Sequence, residues 1–126
     1  MPFLETADTR IEMLPRRDPE RIVLQFLRNH AVGHASAKPW RVLSAHLERR
    51  GIYMTQQAFQ QGILKRTRES NIFIGSNDHG RSRGYYLFAD IADAEVMRDW
   101  YAKRISTECA RLRNLRRQAA AAGWKI

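Results

Sequence analysis

The sequence predicts a mainly α-helical α+β fold with a three-helix core, a β-hairpin and a long C-terminal helix. Apolar residues recur at helical spacing in three stretches that Gly and Pro residues separate. Two β-prone runs, residues 72–74 and 85–88, flank a turn-rich stretch. Neither Gly nor Pro interrupts residues 91–122. We therefore expect an N-terminal arm over residues 1–17, a folded domain over 18–90, a C-terminal helix over 91–122 and a tail over 123–126.

The composition of the chain favours a polyanionic partner. Its 126 residues suit one domain, and 22 Lys and Arg against 13 Asp and Glu give a formal net charge of +9. No apolar run is long enough for a membrane span, and the first residues do not resemble a signal peptide, so we expect a cytoplasmic protein. Cys109 is the single cysteine, which excludes an internal disulfide and a cysteine-based zinc site. We expect no cofactor.

The N-terminal arm shows no clean periodicity, and we expect it to dock through Phe3, Ile11, Met13 and Leu14.

The first helix is expected to begin at Asp18, which can cap it, with Pro19 in the first helical position and Glu20 at the positive helix end. Gly33 is expected to end it. His30 and His34 have metal-ligand spacing only if the helix continued through Gly33, and no carboxylate or cysteine joins them. No metal site is therefore expected.

The second helix is expected to start at Pro39 and to end at Gly51. Residues 52–54 predict a short strand, and Thr55 is a suitable N-cap for a third helix. Two short helices, a short link and a third helix have the layout of a helix-turn-helix.

The third helix is expected from Gln56 to about Arg68, with Phe59 and Ile63 on its buried side. A polar stripe lies roughly opposite and comprises Gln57, Gln61, Lys65 and Arg68. Gln can pair with adenine and Arg or Lys with guanine in the major groove, whereas a solvated helix face is the competing interpretation. For Gly62, inside this helix, we expect close packing against a neighbour.

The loop of the predicted hairpin, GSNDHGRSRG, is longer than chain reversal needs and carries His79, Arg81 and Arg83. Such a loop suits contacts along a phosphate backbone or in a minor groove. Asp78 beside His79 is too weak a constellation to predict catalysis, because no other group converges there.

The stretch TQQAFQQGILKRTRESNIFIGSNDHGRSRGYYLF, residues 55–88, resembles the recognition helix and wing of winged helix-turn-helix proteins, particularly small phage and prophage members. The resemblance implies binding of double-stranded DNA by a transcriptional or phage-type regulator, in the nucleoid or the host cytoplasm. The third helix would enter the major groove, and the wing would follow the backbone. The expected DNA-binding residues are Lys38, Arg41, Thr55, Gln56, Gln57, Gln60, Gln61, Lys65, Arg66, Arg68, His79, Arg81 and Arg83.

The C-terminal helix carries an apolar stripe near heptad spacing, interrupted by Glu108. A homodimer through this helix is the expected arrangement, with contacts from Tyr101, Ile105, Leu112, Leu115 and Ala119. Cys109 is expected to pack rather than react. The segment is basic, but the small residues 119–122 argue against membrane binding.

Three other functions remain as alternatives or are excluded. A small basic adaptor or inhibitor could bind an acidic protein through the same surface, since winged helices also serve as protein-binding modules. RNA binding would need outward-facing aromatic rings among Phe73, Tyr85, Tyr86 and Phe88, of which β-alternation places about half in the core. An enzyme is not expected, because no phosphate-cradling glycine loop, HExxH motif or catalytic carboxylate pair is present.

Overall fold

A computed structural model of the protein describes residues 2–77 and 83–126. The chain forms two compact units, Met1–Ala94 and Glu95–Ile126. The first contains five of the helices described below and a β-hairpin. The second consists mainly of one long helix. This is the mainly α-helical α+β composition that the sequence predicts.

The N-terminal arm is a helix, α1 (Pro2–Met13), where the sequence predicted no regular structure. Ala7, Ile11 and Leu14 are buried, and their spacing of four and three residues is that of one helix face. Phe3 stacks on Phe88 with 5.2 Å between ring centroids. The docking role expected for Met13 is wrong, because this side chain is 71% exposed.

Helix α2 (Pro19–His30) begins as predicted. The Asp18 carboxylate accepts a 2.8 Å hydrogen bond from the Glu20 backbone N–H, and Pro19 occupies the first turn. Ile22, Val23, Leu24 and Leu27 are buried, so this helix forms the centre of the core. It ends at His30, three residues before the predicted stop at Gly33.

Helix α3 (Trp40–Glu48) follows a single 3-10 turn at His34–Ser36 and buries Leu43 and Leu47. The short strand predicted at residues 52–54 does not form; this stretch has no regular structure. The edge of β2 that does not pair with β1 is occupied instead by Val32 and Lys38, which come from the segment between α2 and α3.

Residues 56–69, called here the 56–69 helix, are helical throughout but change hydrogen-bond pattern in the middle. α4 (Gln56–Ala58) leads into a π-helical segment (Phe59–Ile63), which leads into α5 (Leu64–Glu69). The Thr55 side chain caps the start by accepting from the Ala58 N–H at 3.1 Å. In the π segment, the Leu64 N–H bonds to the Phe59 carbonyl, five residues earlier.

The close packing expected for Gly62 is wrong. Apart from its chain neighbours and the nearby backbone of its own helix, no described atom lies within 4 Å of the position that a Cβ would occupy there, and the residue is exposed.

The hairpin pairs β1 (Ile74–Asn77) antiparallel with β2 (Gly84–Leu87), with Ile74 opposite Leu87 and Asn77 opposite Gly84. The predicted first strand, residues 72–74, therefore overlaps β1 at Ile74 alone. Single bridges join β2 to Val32 and Lys38, so the hairpin is fixed to the segment between α2 and α3. The Tyr86 ring lies directly over Gly75, where a Cβ would collide with it.

The aromatic residues of the hairpin do not alternate between core and solvent as predicted. Tyr85, Tyr86 and Phe88 are all buried, and Phe73 is half-buried and stacks on Phe88 at 5.7 Å. The 56–69 helix covers Tyr85 on one side, while Tyr86 packs on Gly75, so both faces of β2 are covered. No outward-facing aromatic pair exists among the described hairpin residues.

The long helix α6 (Ile91–Ala121) has the length that the sequence predicts. It ends in a C-terminal cap in which Gly123 has φ +80° and the Trp124 N–H bonds to the Ala119 carbonyl at 2.9 Å. None of the helices in the described ranges combines the length and apolar character of a membrane span.

Candidate nucleic-acid interface

Tyr85 is the point at which the helical and β elements of the candidate site meet. Its hydroxyl accepts hydrogen bonds from the side-chain amides of Gln56 at 2.9 Å and Gln60 at 3.0 Å. Its backbone exchanges two 2.9 Å hydrogen bonds with Lys38, one in each direction. One buried tyrosine thus fixes the start of the 56–69 helix, the second hairpin strand and the residue two positions before α3.

Aromatic packing holds the same three elements together. Phe59 is fully buried between Trp40 and Tyr85, with 5.0 Å between ring centroids on either side. The Tyr85 ring meets Phe59 edge-on, an arrangement that aromatic pairs favour. The relative placement of α3, the 56–69 helix and β2 is therefore set by packing as well as by hydrogen bonds.

The polar stripe predicted on the third helix is present on the exposed side of the 56–69 helix. Gln57, Gln61 and Lys65 are exposed, and none of them has a hydrogen bond or ion pair with another residue in the described ranges. Their amides and ammonium group are free to bind a ligand.

Gln61 lies inside the π-helical segment, and Gln57 and Lys65 lie four residues to either side of it. Side chains four apart are neighbours on a helix surface, so the three form one polar row on the exposed side of the 56–69 helix.

Arg66, predicted to contact DNA, instead forms ion pairs with two carboxylates of the same chain. Its guanidinium lies 3.0 Å from the Asp18 carboxylate and 3.1 Å from that of Glu20. Glu20 is fully buried and also receives a bidentate pair of hydrogen bonds from Arg10, at 2.6 and 3.1 Å. The hydrogen bond to Glu20 raises the pKa of Arg10, against the opposing effect of burial. This cluster joins α1, α2 and α5, and it is a structural element of the core.

Some of the other predicted DNA-binding residues already bond within the chain, and some do not. The amides of Gln56 and Gln60 are bound to Tyr85, and the Thr55 hydroxyl serves as a helix cap. Arg68 is exposed and donates to the Leu64 carbonyl at 3.2 Å through Nε alone. A further set has no ion pair with a described residue and is at least partly exposed: Lys38, Arg41 and Arg83. His79 and Arg81 lie outside the described residues.

Two arginines and one tyrosine near the site were not predicted. Arg49 and Arg50 are exposed on the turn before the 56–69 helix, and neither has an ion-pair partner in the described part of the chain. Burial, and then the charges of Arg50 and Arg49, lower the pKa of His46. The positioning role of Tyr85 was also missed, since a tyrosine in a β-prone run predicts only a strand. For Arg49 and Arg50, the sequence feature that could have indicated an exposed basic turn is the run Arg-Arg-Gly at the end of the second helix.

The predicted dimer residues differ in exposure. Ile105, Leu112 and Leu115 are 62%, 47% and 55% exposed, and Tyr101 is partly exposed. Ala119 is buried within the single chain, at the helix end that Trp124 caps. Cys109 is a free, exposed thiol, so the packing role expected for it is wrong.

A second polar cluster lies away from the candidate interface. Asp93 is buried and accepts hydrogen bonds from the Ala89 N–H and from the His34 ring at 2.8 Å each. Burial alone would raise the pKa of Asp93, but these hydrogen bonds outweigh it and lower that pKa. Groups of three or more potential metal ligands do not occur among the residues described.

Comparisons with protein-family models, with curated proteins and with solved structures gave no match to this chain. Its function is inferred from its own residues and their geometry.

Proposed function

We propose that the protein is a winged helix-turn-helix protein that binds double-stranded DNA with sequence preference and acts as a regulator. The observation that supports this proposal most directly is that three elements bond to Tyr85. Tyr85 holds the 56–69 helix, the hairpin and Lys38 as one unit. Gln57, Gln61 and Lys65 stay exposed and without partners in the described chain. A rigid helix with a free polar row is the form that major-groove recognition requires.

The chemistry of the row fits base edges. An amide can form two hydrogen bonds with adenine, and a lysine can contact guanine or a phosphate. Gln56 and Gln60, whose amides are bound to Tyr85, are positioning residues in this proposal. Gln57 and Gln61 are the residues that contact bases.

Cations around the row suit backbone contacts. Arg83 directly precedes β2 at its loop end, and Lys38 pairs with Tyr85 near the same end. Arg41 lies in the first turn of α3, and Arg68 lies at the end of the 56–69 helix. Phosphate contacts position a protein on the duplex, while base contacts provide the sequence preference. The net charge of +9 supports association with a polyanion.

The buried hairpin aromatics favour duplex DNA over single-stranded RNA. Recognition of unpaired RNA bases relies on exposed aromatic rings for stacking. Tyr85, Tyr86 and Phe88 are buried, so they offer no stacking surface.

The experiment is a salt titration of binding to a pool of random duplexes, followed by sequencing of the bound fraction. Affinity should fall steeply with salt, and bound duplexes should be enriched in adenine-containing motifs. Lys65→Ala should reduce the salt slope by about 1, and Gln61→Ala should cost about 1–3 kcal/mol at one position of the motif. Gln25→Ala, on the exposed side of α2, is the matched control. Absence of binding at low salt would reject the proposal.

A further inference from the structure

The second unit carries an apolar stripe bordered by arginines on both sides. With about 100° per residue, Ile105, Leu112 and Leu115 lie within about 40° of Tyr101 around the axis of α6. Glu108 lies within the same arc, about 20° from Tyr101, and interrupts the stripe. Arg104 and Arg111 border the stripe on one side and Arg116 on the other, each within about 80° of its centre. All three arginines are exposed.

These arginines keep most of their charge available. Arg104 lies over the Trp100 ring at 5.4 Å and has no ion pair with a residue in the described ranges. Arg111 pairs with Glu108 at 2.9 Å, and Arg116 has no ion pair with any residue that the structure describes. Residues 104–118 contain five arginines against one glutamate.

A second copy of the chain matches this surface poorly. In a parallel pair, Glu108 would face its own counterpart in the seam, and Arg111 would lie beside Arg116 of the copy. Any arrangement that places this segment against itself also brings two strongly positive helices together. Electrostatic complementarity requires acidic residues at the borders of the opposing helix.

We propose that this face of α6, from Tyr101 to Leu115, binds an amphipathic helix of a partner protein whose apolar stripe is bordered by Asp and Glu. Leu112 and Leu115 provide the apolar contact, and the bordering arginines select the acidic helix. The proposal uses no residue of the 56–69 helix or the hairpin, so it stands independently of DNA binding.

The test uses the full-length protein, freed of nucleic acid, and a designed helical peptide of about four heptads, with Leu in the seam and Glu at both borders. Fluorescence anisotropy should show saturable binding of this peptide and none of a version with Lys at the borders. Arg116→Glu should weaken binding about tenfold or more, whereas Arg117→Glu should change it less than about threefold. These neighbours change the net charge equally, but Arg117 lies about 160° from the centre of the stripe.

Leu112→Asn, checked for helicity by circular dichroism, should also weaken binding about tenfold. Sedimentation velocity should find a monomer across the same concentrations. Equal weakening by the two arginine variants would show only non-specific charge attraction and overturn the proposal. So would the absence of saturable binding, or a self-associated protein that excludes the peptide, which would assign the face to a second copy.

Discussion

The side-chain amide of Gln60 donates a 3.0 Å hydrogen bond to the hydroxyl of Tyr85, and this bond joins the 56–69 helix to the hairpin. Gln56 donates to the same oxygen at 2.9 Å. We predict that Tyr85→Phe lowers the free energy of unfolding by about 1 kcal/mol, because both bonds are lost while the exposed amides can turn to water. Denaturant unfolding measures this change.

DNA affinity should fall with Tyr85→Phe, because the helix and hairpin lose the two hydrogen bonds of the hydroxyl and are held together by ring packing alone, while the salt slope should stay unchanged. Tyr53→Phe is the control, since Tyr53 is 76% exposed and its hydroxyl has no partner in the described chain. Equal effects of the two substitutions would contradict a positioning role for Tyr85.

Substitutions at Arg66 and Arg68 should have different effects: the first on protein stability, the second on DNA binding. Arg66→Ala removes two ion pairs, one of them to the fully buried carboxylate of Glu20. Because Arg66 is partly exposed and Arg10 still pairs with Glu20, the expected loss is about 1–2 kcal/mol of unfolding free energy. Arg68→Ala should leave stability within about 0.5 kcal/mol and weaken DNA binding.

Thermal unfolding and DNA titration of the two variants, made in parallel, check this prediction. A stable Arg66→Ala protein with lost DNA affinity would instead restore Arg66 as a DNA contact.

Local rules predicted much of the helical framework. Asp18 and Pro19 begin α2, Thr55 caps the 56–69 helix, and the absence of Gly and Pro over residues 91–122 corresponds to α6. These features depend only on residues close together in sequence, so they can be predicted from the sequence alone. The exposed positions of Gln57, Gln61 and Lys65 also followed from helical periodicity.

Tertiary partnerships could not be predicted in the same way. Nothing local indicates that Glu20 meets Arg10 and Arg66, or that Tyr85 takes two glutamine side chains out of the predicted contact set. The strand expected at residues 52–54 does not form, and β2 pairs instead with Lys38 and Val32, about fifty residues away in sequence. In α1, the helical spacing of Ala7, Ile11 and Leu14 was visible, but a small alanine makes a weak apolar signal.

The acid limit of stability should depend on Asp93. Hydrogen bonds from Ala89 and His34 keep its pKa below the ordinary value in the folded protein, despite burial. The unfolded chain therefore binds the proton first as the pH falls, so the stabilisation is complete above about pH 4 and is lost below it. Denaturant unfolding between neutral pH and about pH 3 measures this loss.

Asp93→Asn should flatten this acid-side dependence and reduce stability at neutral pH by about 1–3 kcal/mol, because the amide has one accepting oxygen where the carboxylate uses two. Asp99→Asn, at an exposed carboxylate, should change neither property appreciably. An unaltered acid-side slope in Asp93→Asn would contradict the prediction.

Replacing Gly62 with alanine should raise the stability of the protein and lower its affinity for DNA. A glycine inside a helix is destabilising, and no neighbour in the described chain requires its small size. Gly62→Ala should therefore raise the free energy of unfolding by about 0.5–1 kcal/mol. If DNA approaches the exposed side of the 56–69 helix, the added methyl group at Gly62, next to Gln61, should reduce affinity, and binding titration on the selected motif tests this.

Gly51→Ala is the informative contrast. It also has open space around the added methyl group, but its φ of +78° lies in the left-handed region, so alanine there should cost about 1–2 kcal/mol of stability. Opposite signs at two equally open glycines would show that backbone conformation, not packing, decides the effect. A Gly62→Ala protein that is more stable and binds DNA as tightly as the parent would move the DNA contact away from this face of the helix.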